Sequence, residues 1–175
     1  MNRRTVVGIV SVAALQAAVV AIYLGVEGGR GPARARVEVF EPPRPPPPLR
    51  LVGRDGTTCG LERFRGRPVV LYFWASWCPV CRDDLPSFLA GAGGDSGYQR
   101  VAVSLDREWK AADTVAAGLE GVSLAGPGTA DAWGVAALPE AFLLDSDGRL
   151  RARGELPGLS ASDILRMAGS PDGNR

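Results

Sequence analysis

The run Val69-Val70-Leu71-Tyr72-Phe73-Trp74 leads through Ala75-Ser76-Trp77 into Cys78-Pro79-Val80-Cys81, and this junction restricts the fold more than any other part of the chain. The run is short, β-branched and aromatic, with Gly66 and Pro68 just before it. That pattern is expected of a buried strand in a parallel or mixed sheet. Pro79 to Leu89 follows with helical character, and Pro79 suits a first helical turn because its missing N–H has no partner there anyway. Cys78 is therefore expected at a strand-to-helix junction, where backbone N–H groups and the helix dipole favour a thiolate. Two intervening residues in a first turn bring the two sulfurs within disulfide reach. The more exposed sulfur then acts as nucleophile and the more sheltered one resolves the mixed disulfide. The competing readings are half of a zinc site and a purely structural disulfide. Zinc needs a second pair of ligands, and the chain has no histidine and only Cys59 as a further cysteine.

Composition narrows the classes. The chain has 175 residues, which suits one medium domain with appendages. A net charge of +1 implies no nucleic-acid partner. The absence of histidine excludes Cys-His and Ser-His nucleophile pairs and His-based metal catalysis.

The N-terminal segment Thr5–Val26 carries no charge. At roughly 1.5 Å per helical residue it is long enough to cross a bilayer. Arg3 and Arg4 precede it and orient it with the rest of the chain outside the cytoplasm. Residues 1–26 are thus expected to be a single-pass anchor. The alternative is a cleaved signal peptide, for which Ala33-Arg34-Ala35 satisfies a small-x-small pattern, although it lies well beyond the apolar run. Residues 27–48, rich in Gly, Pro and Arg, are expected to form a spacer. Its Pro42-to-Pro48 stretch should adopt polyproline II and lift the domain off the membrane.

The folded domain is expected over residues 49–169, with a frayed tail at 170–175. Asp55-Gly56 between Leu49–Val52 and Thr57–Leu61 signals a hairpin. Cys59 lies in or beside it, read first as apolar filler and second as a regulatory or intermolecular thiol. Pro86 falls inside the helix that begins at Pro79 and is expected to kink it. Asp84 lies on the same side of that helix as Cys81, with a solvated surface charge as the plain alternative. Gln99–Leu105 is expected as a buried strand, Glu108–Leu119 as an amphipathic helix and Val122–Leu124 as a short strand. A helical turn at Thr129–Trp133 and a closing helix at Ser160–Met167, capped by Ser160, follow. Alternating strands and helices give an α/β three-layer domain.

Phe73-Trp74-Ala75-Ser76-Trp77-Cys78-Pro79-Val80-Cys81 resembles the active-site segment of the thioredoxin superfamily, and most closely its membrane-anchored TlpA/ResA type, the reductases of cytochrome c maturation included. The resemblance runs from about Leu49 to about Met167. It implies a thioredoxin-like three-layer sandwich with an N-terminal hairpin extension. It also implies a cis Leu138–Pro139 peptide facing the cysteine pair and a client groove shaped by Trp77, Pro79, Leu138 and Pro139. Asp84 stands where the related reductases usually carry a proton-handling Glu, one methylene longer. Pro139-Glu140 resembles the heme-maturation reductases, and an acid beside the dithiol disfavours the thiolate. The implied activity is an extracytoplasmic thiol:disulfide oxidoreductase with Cys78 as nucleophile and Cys81 as resolving thiol. Its clients would be protein disulfides, with apocytochrome c and copper-site proteins among them. A membrane electron donor of the thiol-relay type would re-reduce it. The localisation implied is a bacterial inner membrane with the domain in the periplasm. The redox-active disulfide then carries the chemistry, and neither metal nor nucleotide cofactor is called for. The alternatives are a periplasmic oxidant or isomerase, and a copper(I)-binding metallochaperone, which soft thiolates suit but the missing histidine disfavours.

Overall fold

The computed structural model describes residues 37–90, 97–155 and 160–169. Thr5–Val26, the first part of the expected spacer and the tail 170–175 lie outside them, as does most of the loop after the first helix. Among the described residues no helix is long and apolar enough to cross a membrane.

Eight strands of the described residues form one mixed sheet. In chain order they are β1 (Val37–Arg44), β2 (Leu51–Val52), β3 (Thr58–Cys59), β4 (Val69–Trp74), β5 (Gln99–Ser104), β6 (Val122–Ala125), β7 (Glu140–Leu144) and β8 (Leu150–Gly154). Across the sheet the order is β1-β8-β7-β4-β5-β6-β2-β3. The organising run is β4, parallel to β5 on one side and antiparallel to β7 on the other. All six of its residues are buried, as a strand covered on both faces requires.

Alternation along β4 builds the two halves of the core. Val70, Tyr72 and Trp74 face one cluster; Val69, Leu71 and Phe73 face the other. The first cluster lies under α1 (Pro79–Ala90), α2 (Trp109–Ala116) and α4 (Ala161–Met167), through Leu85, Phe88, Ala112, Ala116 and Ile164. The crossovers β4-α1-β5 and β5-α2-β6 step in the same direction, so right-handedness puts both helices on one face. The opposite face is covered by α3 (Thr129–Trp133), the 3-10 turn Leu61–Phe64 and the segment around Leu49. Phe73, Phe142 and Trp133 meet there with centroids 4.9–5.6 Å apart.

The expected hairpin forms as β2 and β3, with Gly56 at φ 77° in its turn. Arg54 ties it to α2. Its guanidinium pairs with Asp113 at 2.8 Å and donates to the Ala116 and Leu119 carbonyls at 2.6 and 3.0 Å. The bond to Ala116 satisfies an acceptor that the helix end leaves open. The expected closing helix is present as α4, and its Ser160 cap accepts from the Asp163 N–H. The amphipathic helix is shorter than expected, α2 ending at Ala116 rather than Leu119.

The described part of the expected spacer differs. Val37–Arg44 is an edge strand of the sheet, paired with β8, and Phe40 is buried in the core. Pro42 and Pro43 are tolerated because an edge strand leaves one row of N–H groups unused. The prolines that follow run along the domain rather than away from it. Trp133 Nε1–H donates to the Pro48 carbonyl at 3.2 Å, and Arg149 donates to that of Pro43 at 2.7 Å. Phe40→Ala in the full chain is therefore expected to cost about 3 kcal/mol in equilibrium denaturation, as for other buried aromatic deletions. A loss under about 0.5 kcal/mol, the size of a surface change, would show that this strand is detached in solution.

Candidate active site

The C-terminal end of β4 delivers Cys78 to the N-terminus of α1. The turn between them closes through the Cys78 N–H, which donates to the Ala75 carbonyl at 3.1 Å. Cys78 and Cys81 are joined in a disulfide. The Cys81 N–H points at Cys78 Sγ, 3.2 Å away. A free helix N–H aimed at that sulfur favours its thiolate once the disulfide opens. Cys81 is fully buried and Cys78 is 5% exposed, while Trp77 and Val80 beside them are 70% and 56% exposed. Cys78 is thus the less sheltered of the two cysteines, the place expected for an attacking sulfur. The two large exposed apolar residues supply a surface on which a client chain can lie.

Leu138–Pro139 is a cis peptide, as the resemblance implied. Its placement follows from register. Glu140 lies opposite Phe73 in the β4–β7 ladder, so Leu138 and Pro139 stand beside the end of β4 from which the cysteine loop departs. Leu138 packs into both core clusters. Trp77, Pro79, Leu138 and Pro139 are thereby brought to one edge of the sheet.

Asp84 is exposed on α1, one turn beyond Cys81. Its charge reaches Tyr72, whose phenol burial pushes well above its ordinary value and Asp84 pushes further. The Tyr72 hydroxyl is buried with no hydrogen-bond partner among the described residues. It stays neutral throughout the physiological range.

Glu140 is placed differently from the expectation that it tunes the dithiol. It shares a sheet face with Phe73 and Phe142, whereas Cys78 and Cys81 pack with the cluster on the other face. Its carboxylate lies 3.9 Å from Arg153, which is held more closely, at 2.8 Å, by Glu38. Burial raises the Glu140 pKa; Arg153 opposes this and Glu38 adds to it. These groups line a cleft of about 590 Å³ that also takes in Pro139 and Glu155. Among the described residues no group of three or more Cys, Asp or Glu side chains is arranged to hold a metal.

Sequence reasoning missed a polar cluster behind the loop. Asp106 Oδ2 accepts from the Ser76 N–H at 2.9 Å, Asp106 Oδ1 from the Ser76 hydroxyl at 2.8 Å, and Oδ2 also from the Ser104 hydroxyl at 2.8 Å. The available signal was positional. Ser104-Leu105-Asp106 follows an apolar strand parallel to β4, and parallel strands deliver their C-terminal residues to the same edge.

The AhpC/TSA family model matches residues 44–153, more than half of the 175-residue chain. This chain belongs to the AhpC/TSA family. It is 39% identical over 54 residues to the thiol-disulfide oxidoreductase ResA of Oceanobacillus iheyensis, covering 30% of this chain and 28% of that one. Identity to the ResA of Bacillus thuringiensis subsp. konkukian is 28% over 105 residues, covering 55% and 59%. The chain thus spans under two thirds of the length of either relative. Among solved structures, a protein described as the thiol:disulfide interchange protein DsbE of Chlorobium tepidum superposes with a TM-score of 0.55 at 29% identity. That match covers 73% of this chain and 92% of the other. The resemblance to ResA-type proteins and the thioredoxin-like α/β fold are both borne out for this family member.

The Glu140 environment has a measurable consequence. The folded state holds the Glu140 proton more tightly than the unfolded chain does. Its contribution to stability is therefore complete below the ordinary carboxylate value of 4.5 and is lost as pH rises through the raised value. Denaturation curves at a series of pH values should show wild type losing stability relative to Glu140→Gln across that window. A difference that stays flat from acid to neutral pH would place Glu140 in water-like surroundings.

Proposed function

We propose that this chain is a membrane-anchored, extracytoplasmic thiol:disulfide oxidoreductase that reduces client proteins. The observation that carries the reading is the Cys78–Cys81 disulfide at the N-terminus of α1, beside a cis-proline loop, with the outer sulfur flanked by exposed Trp77 and Val80. Membership of a family whose named relatives include ResA thiol-disulfide oxidoreductases supports it.

The reaction balances without a bound cofactor. A Cys78 thiolate attacks one sulfur of a client disulfide. That bond breaks, a mixed disulfide forms, and the departing client thiolate takes a proton. Cys81, deprotonated, then attacks Cys78 Sγ, releasing the second client thiol and closing the Cys78–Cys81 disulfide. Two electrons pass to the client, and a membrane donor of the thiol-relay type restores them. Asp84, one helical turn from Cys81, is the proposed acceptor of the resolving thiol's proton. Glu140, turned toward Arg153, is assigned to the groove beside Pro139 rather than to proton transfer. Trp77, Pro79, Leu138 and Pro139 hold the client strand. Thr5–Val26 serves as the anchor, with Arg3 and Arg4 keeping the domain on the periplasmic side of a bacterial inner membrane. Apocytochrome c and copper-site proteins are the client classes that the ResA likeness favours.

The test is the reduction potential of the full chain, equilibrated with thiol buffers and read by trapping free thiols. A value near or below that of thioredoxin, about −270 mV, is expected. A value near −120 mV, that of a strong oxidant, would reverse the direction. A pair that never oxidises at any poise would sink the oxidoreductase reading. Cys81→Ser should accumulate a mixed disulfide with an added disulfide peptide, Cys78→Ser should form none, and Cys59→Ser should behave as wild type.

A further inference from the structure

Trp77 is 70% exposed, so little side-chain packing holds it, yet with Cys78 it forms the face that meets a client. Its position depends on the backbone of the turn Ala75–Cys78. That turn and the strand end before it are held by three hydrogen bonds to the two residues that follow β5. The Leu105 N–H donates to the Trp74 carbonyl at 2.8 Å. Ser76, the first central residue of the turn, gives its N–H to Asp106 Oδ2 at 2.9 Å and its hydroxyl to Oδ1 at 2.8 Å. The carboxylate is itself oriented by Ser104. That hydroxyl donates to Oδ2 at 2.8 Å and accepts from the Asp106 N–H at 3.1 Å. Ser104 is fully buried and Asp106 is 6% exposed.

We propose that Asp106 is a positioning residue for disulfide exchange, its two carboxylate oxygens clamping Ser76 and thereby fixing Trp77 and Cys78 in line with a client disulfide. The inference rests on the oxidoreductase reading. A carboxylate withdrawn from water and met only by neutral donors is costly to stability, and among the described residues no arginine or lysine pairs with Asp106. It stands where the loop that carries the chemistry leaves the sheet. Local departures from the best-stability choice are expected at functional sites. The geometry supplies the use. Sulfur displacement needs the attacking sulfur in line with the scissile bond, and displacements of an ångström cost large factors in rate. A bidentate hold on one turn residue removes the rotation of the peptide that would swing Trp77 and Cys78 together.

The experiment uses pre-reduced full chain and a peptide with one intramolecular disulfide, in single turnover. Asp106→Ala should lower the second-order rate constant about ten-fold. Ser76→Ala keeps the backbone bond, loses the hydroxyl bond, and should lower it about three-fold. The double variant should be no slower than Asp106→Ala, because both changes release one clamp. Alkylation by iodoacetamide at high pH, which needs no client alignment, should change less than about two-fold in all three. If Asp106→Ala folds poorly, Ser76→Ala and Asp106→Asn carry the test, with Asn giving an intermediate rate. The proposal is overturned if peptide reduction stays at the wild-type rate while only the thermal midpoint falls, if the two losses multiply, or if alkylation slows in parallel. Wild-type protein that fails to reduce the peptide overturns the oxidoreductase reading and this inference with it.

Discussion

Burial of β4 on both faces is the constraint on which the rest depends. A strand with six consecutive buried residues must find backbone partners on both sides, and it does so in β5 and β7. An unpaired N–H or C=O in that environment would cost as much as a lost hydrogen bond. Once the ladders form, the end of β4 is a rigid point in space. The cysteine loop, the cis-proline loop and the end of β5 all arrive there because their strands are in register with it. The reactive pair is thus located by a strand whose six residues are all buried, although its flanking residues meet solvent.

The two sheet faces divide the electrostatics. On the cysteine side lie buried apolar groups, a neutral tyrosine, Arg100 over the Phe88 ring, the Arg54–Asp113 pair on α2 and an exposed Asp84. On the other side Glu38, Arg153 and Glu140 run across β1, β8 and β7. Arg153 leans on Glu38, so Glu140 receives only part of a counter-charge and its burial is incompletely compensated. The charges nearest the cis-proline loop therefore shape the cleft beside it. The thiol chemistry is left to the helix N-terminus, whose field favours a thiolate.

The N-terminal strand changes how the domain is tethered. With β1 in the sheet and the proline stretch held by Trp133 and Arg149, the chain between Pro42 and Leu49 is a girdle on the domain. Proline has no N–H to donate but keeps its carbonyl as an acceptor, and both of these contacts use proline carbonyls.

Much of this was legible in the chain itself. The strand-to-helix junction, the Cys78–Cys81 pairing, the Asp55-Gly56 hairpin and the helices after β5 and at Ser160 rest on local patterns: apolar runs, turn residues and caps act over a few residues. The cis bond at Pro139 came through family likeness. Other features had no local signature. Val37–Arg44, rich in charge and proline, becomes a strand only because β8 offers an open edge. Glu140 turns away from the cysteines through the parity of its register with Phe73, since a period of two makes each step along a strand a change of face. Asp106 meets Ser76 because two parallel strands end at one edge. Sequence alone determined the strand and helix that carry the cysteine pair and the place of the two sulfurs in the chain. Tertiary structure decided which side chains meet them, because that choice depends on non-local hydrogen-bond registers that no stretch of chain specifies by itself.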